Sequence, residues 1–245
     1  MSKGQPPPAR RTPLQALFYW GAVATIWGLI FLAALFAVFA TDLPDTSKIF
    51  DAKRQPSISY LDRSGALIAV RGSQFAPPVD LDALPKYVPA AFLAVEDRRY
   101  YMHPGVDPIG ITRSFYVRAI EGRWTQGGST ITQQLAKNLF LSGERTLLRK
   151  GQELMLTLAL ETFLSKRRIL EIYLNSVEWG EGVFGAEAAA QHYFRKSASR
   201  LNAWEAARLA VMLPRPRYFE KLAQSPYLAS RAETIMARMN DVVLP

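Results

Sequence analysis

Residues 16–40 contain no charged side chain and are almost entirely apolar. A helix of this length, rising about 1.5 Å per residue, is long enough to cross the ~30 Å hydrocarbon core of a bilayer. Tyr19 and Trp20 near its start are typical of the membrane interface. A cleaved signal peptide and a buried core helix are the alternatives, but this run is longer than the apolar part of a typical signal peptide. We therefore predict an uncleaved transmembrane helix over residues 14–40.

The charges on the two sides of this run differ in sign. Basic residues precede it and acidic residues follow it: Lys3, Arg10 and Arg11, then Asp42 and Asp45. Because cytoplasmic flanks of membrane helices carry the basic excess, this distribution predicts that the N-terminus lies inside the cell. Residues 1–13 are then a cytoplasmic tail, and everything after residue 41 lies outside the membrane.

The net charge and the cysteine count limit the kinds of site that the chain can hold. It carries 30 Lys and Arg against 21 Asp and Glu, a net charge of +9, which favours anionic partners. Nucleic acid, phospholipid headgroups and phosphorylated substrates all remain open on composition alone. The sequence has no cysteine, which excludes disulfides, thiol nucleophiles and thiolate zinc sites. His103 and His192 are far apart in sequence and lack metal-binding spacing.

The rest of the chain divides into a turn-rich linker, residues 41–85, and a helical region, residues 86–245. Within the linker, segments 58–61 and 66–70 flank an Asp-Arg-Ser-Gly turn and predict a small hairpin. Apolar spacing in the second region predicts helices over residues 90–97, 130–141, 146–163, 167–174, 186–193, 203–212 and 229–239.

Glu96 stands at the end of an apolar helical run, followed by Asp97. Partial desolvation there would raise the pKa of the Glu96 carboxyl toward that of a working acid or base. The alternative is a helix-end carboxylate paired with Arg98 or Arg99. His103 either orients a neighbouring group or is a structural loop histidine.

A second group of polar residues follows Gly127 and Gly128. A glycine-rich approach to a helix start exposes backbone N–H groups, which favours an anion. Polar side chains then recur on one helical face, at Thr130, Gln134, Lys137 and Asn138. An ordinary N-cap on a solvated helix is the alternative, with Thr130 and Gln133 in capping-box spacing. The spacing is not that of a nucleotide P-loop.

Arg149, Lys150 and Glu153 share one face of a predicted helix. A basic pair beside a carboxylate suits a diphosphate, with or without a bridging divalent cation. Two later segments, residues 166–175 and 185–196, favour a structural interpretation instead. Small alanines permit close packing there, and Glu171 and Asn175 are expected to tie adjacent elements together.

Taken together, these segments form five blocks in a fixed order. They are Glu96-Asp97 with His103-x-Gly105, then Gly128-Ser129-Thr130-Ile131-x-Gln133-Gln134-x-x-Lys137-Asn138, Arg149-Lys150-x-x-Glu153, Ile169-Leu170-Glu171-x-Tyr173-Leu174-Asn175, and Gly185-Ala186-x-x-Ala189. In this order they resemble the peptidoglycan glycosyltransferases of glycosyltransferase family 51, over residues 84–218. Tyr100 stands where that family usually has Phe, a change that keeps the ring.

The resemblance implies a mainly α, lysozyme-like, two-lobed helical domain, preceded here by the single transmembrane helix and the hairpin-containing linker. It also implies a reaction of bacterial cell wall biosynthesis: lipid II is polymerised into β-1,4-linked glycan strands with inversion, and polyprenyl diphosphate is released. The implied location is the cytoplasmic (inner) membrane, with the catalytic domain on the outer, periplasmic face.

The resemblance also assigns roles to individual residues. Glu96 is implied to be the general base, and Glu153 the second carboxylate, which holds a divalent cation, Mg²⁺ or Mn²⁺. The implied substrate-binding residues are His103, Ser129, Thr130, Gln134, Lys137, Asn138, Arg149 and Lys150. The implied partners are lipid II, the growing lipid-linked glycan, membrane lipids and other cell-wall synthesis proteins, and nucleic acid is not among them.

Residues 109–124 carry a further hypothesis. They include Phe115, Tyr116 and Trp124 among arginines, and the corresponding region of the family dips into the bilayer. A helix packed on the core remains the alternative on periodicity alone.

Two other functions remain open. A lytic, lysozyme-like enzyme would also use a carboxylate in such a fold, but it has no need of the basic cluster around Glu153. A non-catalytic membrane scaffold has no need of Glu96 or Glu153. The sequence contains no S-x-x-K motif, so we expect no transpeptidase activity.

Overall fold

The computed structural model describes residues 12–40, 58–64, 67–71, 74–121, 128–141, 146–222 and 224–244. The chain divides into two compact units, residues 1–43 and residues 44–245. The secondary structure is mainly helical, which confirms the predicted fold class. Most of the predicted cytoplasmic tail and the first part of the linker lie outside the described residues.

The first unit holds one helix, α1, Pro13–Ala40. At its start, the Thr12 N–H donates to Gln15 Oε1 at 3.1 Å and the Gln15 N–H donates to Thr12 Oγ1 at 3.3 Å. Pro13, at the first helical position, has no N–H that would need a partner. Residues Pro13–Ala34 are long and apolar enough to cross a membrane, and their large apolar side chains are exposed within this unit. By length and composition, this helix suggests a membrane anchor. A signal sequence near the N-terminus would meet the same criteria.

The second unit begins with short strands. Strands β1, Ile58–Leu61, and β2, Leu67–Arg71, pair antiparallel and confirm the predicted hairpin. Strand β3, Gln74–Phe75, pairs parallel with β5, Val183–Phe184, which pairs antiparallel with β4, Glu178–Gly180. The sequence did not predict this second sheet, because two or three residues are too few for an alternating pattern.

Nine α-helices are present among the described residues of this unit, besides short 3-10 turns. They are α2 Tyr87–Glu96, α3 Pro108–Glu121, α4 Ile131–Phe140, α5 Leu147–Phe163, α6 Lys166–Ser176, α7 Ala186–Phe194, α8 Ala203–Met212, α9 Pro216–Glu220 and α10 Pro226–Arg238. All seven predicted helices occur, with ends displaced by at most a few residues. Helices α3 and α9 were not among them.

Helix α2 lies at the centre of the core. It buries Val88 to Leu93 against α8 and α10, while α4 packs against α5 and α6. Phe92 meets Trp179 edge to face with ring centroids 5.5 Å apart, and the Trp179 indole N–H donates to the Leu209 carbonyl at 3.2 Å. The end of α2, which carries Glu96, is therefore held by packing from several sides.

Asn175 ties the linker to helix α6. Its Nδ2 donates to the Val79 and Glu171 carbonyls, both at 2.9 Å, and its Oδ1 accepts the Val79 N–H at 2.8 Å. Gly185 passes beside it with φ +87°, and a Cβ at Gly185 would lie 2.9 Å from the Asn175 carbonyl oxygen. Both observations support the structural interpretation of the last two sequence blocks.

Asn175→Ala is expected to destabilise the fold by about 1–3 kcal/mol, because it leaves both polar backbone groups of Val79 without their partner. Thermal unfolding of the full chain in detergent measures this change. Gln191→Ala is the matched control, since the Gln191 amide is exposed and donates only at the surface, to Glu187 at 2.8 Å. A loss for Asn175→Ala no larger than that of the control would contradict the assignment.

Candidate active site

A cavity of about 450 Å³ opens where the end of α2, the first turns of α3, the approach to α4 and helix α10 meet. Its lining includes the acids Glu96, Asp97, Asp107 and Asp241, the polar residues Ser129 and Thr130, and the arginines Arg98, Arg99, Arg113, Arg231 and Arg238. Carboxylates and a larger number of guanidinium groups therefore face one space. This combination suits a substrate that carries both hydroxyl groups and phosphate.

The two oxygens of the Glu96 carboxylate have different surroundings. Oε2 accepts a hydrogen bond from Gln134 Nε2 at 2.7 Å, whereas the buried Oε1 has no hydrogen-bond partner among the described residues. Burial raises the pKa of Glu96, and the charge of Asp97 adds to this. The Gln134 bond and the charge of Lys137 act in the opposite direction. Glu96 thus combines a raised pKa with one carboxylate oxygen left to accept a proton.

Asp97 has an architectural role instead. Its Oδ2 accepts the Ile131 N–H, the first of helix α4, at 3.1 Å, and its Oδ1 lies 3.0 Å from His103 Nε2. Both side chains are almost fully buried. His103 therefore faces the protein interior and orients Asp97, one of the two alternatives open from the sequence. The contact with substrate implied for His103 stays a prediction.

The predicted capping box at the start of α4 is confirmed. Gln133 N donates to Thr130 Oγ1 at 3.2 Å, and Thr130 N donates to Gln133 Oε1 at 3.0 Å. The Thr130 hydroxyl also donates to the Gly105 carbonyl at 2.5 Å, so its hydrogen and one of its two acceptor positions are used by backbone groups. Gly105 has φ +89°, and a Cβ there would lie 2.7 Å from Thr157 Cγ2. Ser129 and Thr130 both line the cavity, and Thr130 also caps α4.

Arg149, Lys150 and Glu153 form a second charged cluster, on helix α5. Thr146 caps that helix by accepting the Arg149 N–H at 3.1 Å. Arg149 Nη1 lies 3.1 Å from Glu153 Oε2, and Lys150 Nζ bonds Glu153 Oε1, so both oxygens of this buried carboxylate contact a cation. The cluster keeps a net positive charge and, through Lys150, reaches solvent. It favours an anionic ligand.

The cluster offers little to a metal ion by itself. In the part of the chain that the structure describes, no group of three His, Cys, Asp or Glu side chains is placed to hold one. Glu153 could supply one carboxylate ligand, and the other ligands would have to come from substrate oxygens and water, as is common for Mg²⁺.

The structure places the predicted site residues in three groups. Glu96, Ser129 and Thr130 line the cavity, while His103 lies behind its wall. Gln134, Lys137 and Asn138 lie on α4, and Gln134 contacts Glu96. Arg149, Lys150 and Glu153 lie outside the cavity lining, on α5, which packs against α4.

Sequence reasoning missed the cavity arginines Arg113, Arg231 and Arg238. They come from α3 and α10, which are more than a hundred residues apart, so no local motif joins them. The net charge was the only signal of such a cluster. In the first turn of α3, Gly110 leaves room for the Asp107 carboxylate, because a Cβ at Gly110 would lie 2.7 Å from Asp107 Oδ2.

The segment 109–124 is a helix, α3, for most of its length, and residues 122–127, with Trp124, lie outside the described residues. Phe115, Tyr116 and Ile120 are each about 65% exposed. A helix that packs these side chains on the core is therefore excluded for this part of the segment. Their contact with a bilayer stays a prediction.

Glu96→Gln is expected to stabilise the fold at neutral pH. Because burial raises the pKa of Glu96, the folded chain binds this proton more tightly than the unfolded chain, and stability falls as pH rises through the raised pKa. A neutral glutamine avoids that loss. The increase in melting temperature should be present near pH 7 and vanish below about pH 4, which is close to the ordinary pKa of a glutamate carboxyl. Glu233→Gln, exposed on α10, is the control; a pH-independent gain for Glu96→Gln would argue against a buried charge.

Comparison with known proteins identifies the family. The family model described as Transglycosylase matches residues 64–240. A biosynthetic peptidoglycan transglycosylase of Burkholderia thailandensis is 54% identical over 167 residues, 68% of this chain and 65% of the relative's length. A protein of the same name from Paraburkholderia xenovorans is 43% identical over 244 residues, 97% of both chains. The chain belongs to the transglycosylase family of peptidoglycan glycosyltransferases.

Proposed function

We propose that this chain polymerises lipid II into β-1,4-linked glycan strands and releases polyprenyl diphosphate. The observation that carries the proposal is Glu96, which lines a cavity together with arginines and whose carboxylate has a raised pKa and one oxygen without a hydrogen-bond partner. A base of this kind removes a proton from a hydroxyl, and the guanidinium groups bind phosphate. The names of the relatives point to the same reaction.

The proposed step is a single displacement at a sugar carbon. Glu96 Oε1 takes the proton of the acceptor 4-hydroxyl as that oxygen forms a bond to C1 of the donor sugar. The bond between C1 and the diphosphate oxygen breaks, and the leaving diphosphate keeps the electron pair. The configuration at C1 inverts because attack and departure occur on opposite faces.

Two substrates that each carry a diphosphate require two cationic sites. The cavity arginines surround the space beside Glu96, and we assign them to the acceptor. Arg149 and Lys150, with Lys137, are assigned to the donor diphosphate, where positive charge stabilises the leaving group. Ser129, Gln134 and Asn138 would contribute polar contacts to the donor.

A divalent cation is part of the proposal. Mg²⁺, or Mn²⁺ in its place, would be held by Glu153 together with diphosphate oxygens and would neutralise charge on the leaving group. Arg149 and Lys150 contact Glu153 and would bind the phosphate beside the cation.

The apolar helix α1 supports a location at the membrane where a lipid-linked substrate resides. We propose a single-pass anchor in the cytoplasmic membrane, with the N-terminus inside and the catalytic domain on the outer face. Membrane lipids and other cell-wall synthesis proteins are then the expected surroundings. The lytic and scaffold alternatives are disfavoured by the basic cluster at Glu153 and by the free oxygen of Glu96.

Purified protein given lipid II and magnesium in detergent is expected to form glycan strands without peptide cross-links, resolved by gel electrophoresis. Glu96→Gln should lower turnover about 10²–10⁴-fold, because it cannot accept the proton, while lipid II still binds. Glu233→Gln should match the parent. Absence of polymer across several detergents, or near-parent turnover by Glu96→Gln, would overturn the proposal.

Glu153→Gln is expected to lower turnover and to change its dependence on magnesium. The glutamine keeps the size of the side chain but is a weaker cation ligand and leaves Arg149 and Lys150 without a counter-charge. Rates measured over a magnesium titration separate it from Glu96→Gln, whose magnesium midpoint should equal that of the parent. Identical magnesium profiles for the two variants would require the roles to be reassigned.

A further inference from the structure

Three side chains from different helices form a line that ends at Glu96. Tyr173, fully buried on α6, donates from its hydroxyl to Gln134 Oε1 at 3.0 Å. Gln134 Nε2 in turn donates to Glu96 Oε2 at 2.7 Å. Tyr173 is not among the residues that line the cavity. Its polar group is directed at the amide that touches the base.

A side-chain amide has a donor end and an acceptor end, and its orientation depends on its neighbours. With the phenol hydrogen pointed at Gln134 Oε1, the amide nitrogen must face Glu96. In the reversed orientation the amide oxygen would face an ionised carboxylate, and two acceptors would oppose each other. By donating to Oε1, the phenol satisfies the acceptor end of the amide and stabilises the orientation in which Gln134 donates to Glu96.

The phenol is a dependable donor. Burial raises the pKa of Tyr173 well above its ordinary value, and the nearby charges of Glu96 and Asp97 add to this. The hydroxyl therefore keeps its proton at neutral pH. As a neutral hydroxyl it retains the hydrogen that it donates to Gln134 Oε1.

We propose that Tyr173 is a positioning residue of the glycosyl transfer: through Gln134 it holds a donor on Glu96 Oε2 and leaves Oε1 to take the acceptor proton. The inference rests on the proposed role of Glu96 as the base. It adds a residue of the fourth sequence block, otherwise structural, to the machinery that sets the base.

A hydrogen bond to the charged form of a carboxyl lowers its pKa, so losing that bond raises it. Tyr173→Phe keeps the ring but removes the hydroxyl, and the Gln134 amide is then free to turn away from Glu96. The acidic limb of the pH profile of kcat/KM, which reports the base in the free enzyme, should move upward by about 0.5–1 pH unit. A purely structural role would lower the rate at every pH and leave the limb in place.

Tyr193→Phe is the matched control. The Tyr193 hydroxyl donates to the Trp179 carbonyl at 2.7 Å, away from Glu96, so its loss should leave the limb unmoved. In a Gln134→Leu background, which already lacks the amide, Tyr173→Phe should add no further shift. An unmoved limb in Tyr173→Phe, or a full additional shift in the double variant, overturns the inference.

Thermal unfolding shows whether each variant is folded. If Tyr173→Phe fails to fold, site-specific 3-fluorotyrosine keeps the ring and makes the phenol a stronger donor, so the limb should move to lower pH; an unmoved limb again counts against the inference. Failure of the proposed function looks different. In that case the acidic limb of the parent would be absent or would persist in Glu96→Gln.

Discussion

The buried Asp97 carboxylate is the contact on which the geometry of the site depends. It follows directly after α2, accepts the first N–H of α4, and bonds His103 in the segment between them. Helix starts leave backbone N–H groups without partners, and the Asp97 carboxylate accepts one of them. The same contact fixes Glu96, the neighbouring residue, relative to Gln134 one turn into α4. The two adjacent acids therefore differ in role: Asp97 holds the start of α4 in place, and Glu96 keeps one oxygen without a hydrogen-bond partner.

Two groups of basic side chains at the candidate site have different surroundings. The cavity arginines share their space with several carboxylates, and Arg99 lies 3.7 Å from Asp107. On α5, two cations contact one almost fully buried carboxylate. Because a buried unpaired carboxylate is strongly unfavourable, Glu153 keeps both cations in place before any substrate arrives. A phosphate group that enters would meet preorganised charges.

Local signals allowed much of the fold to be predicted. The capping box at Thr130 and the apolar spacing of α5 and α8 lie within single segments, so the chain needs no distant contact to indicate them. The contacts that complete the site are of another kind. Tyr173 and Gln134 are 39 residues apart, and the cavity brings Arg99 together with Arg238. Nothing in the neighbourhood of any one of these residues encodes its partner. The sequence blocks marked segments of the candidate site, but not how the amide and the guanidinium groups are oriented.

Helix α3 serves two environments at once. Gly110, Arg113 and Val117 recur at helical spacing and face the cavity, while Phe115, Tyr116 and Ile120 are exposed on another side. A helix is only about 10 Å across with its side chains, so a phosphate at Arg113 lies within that depth of the apolar surface. If that surface rests at a bilayer, a lipid-linked sugar reaches the cavity while its polyprenyl tail stays in the hydrocarbon. The chain would then work on its substrate without extracting it, and the thickness of one helix would set the height at which each new bond forms.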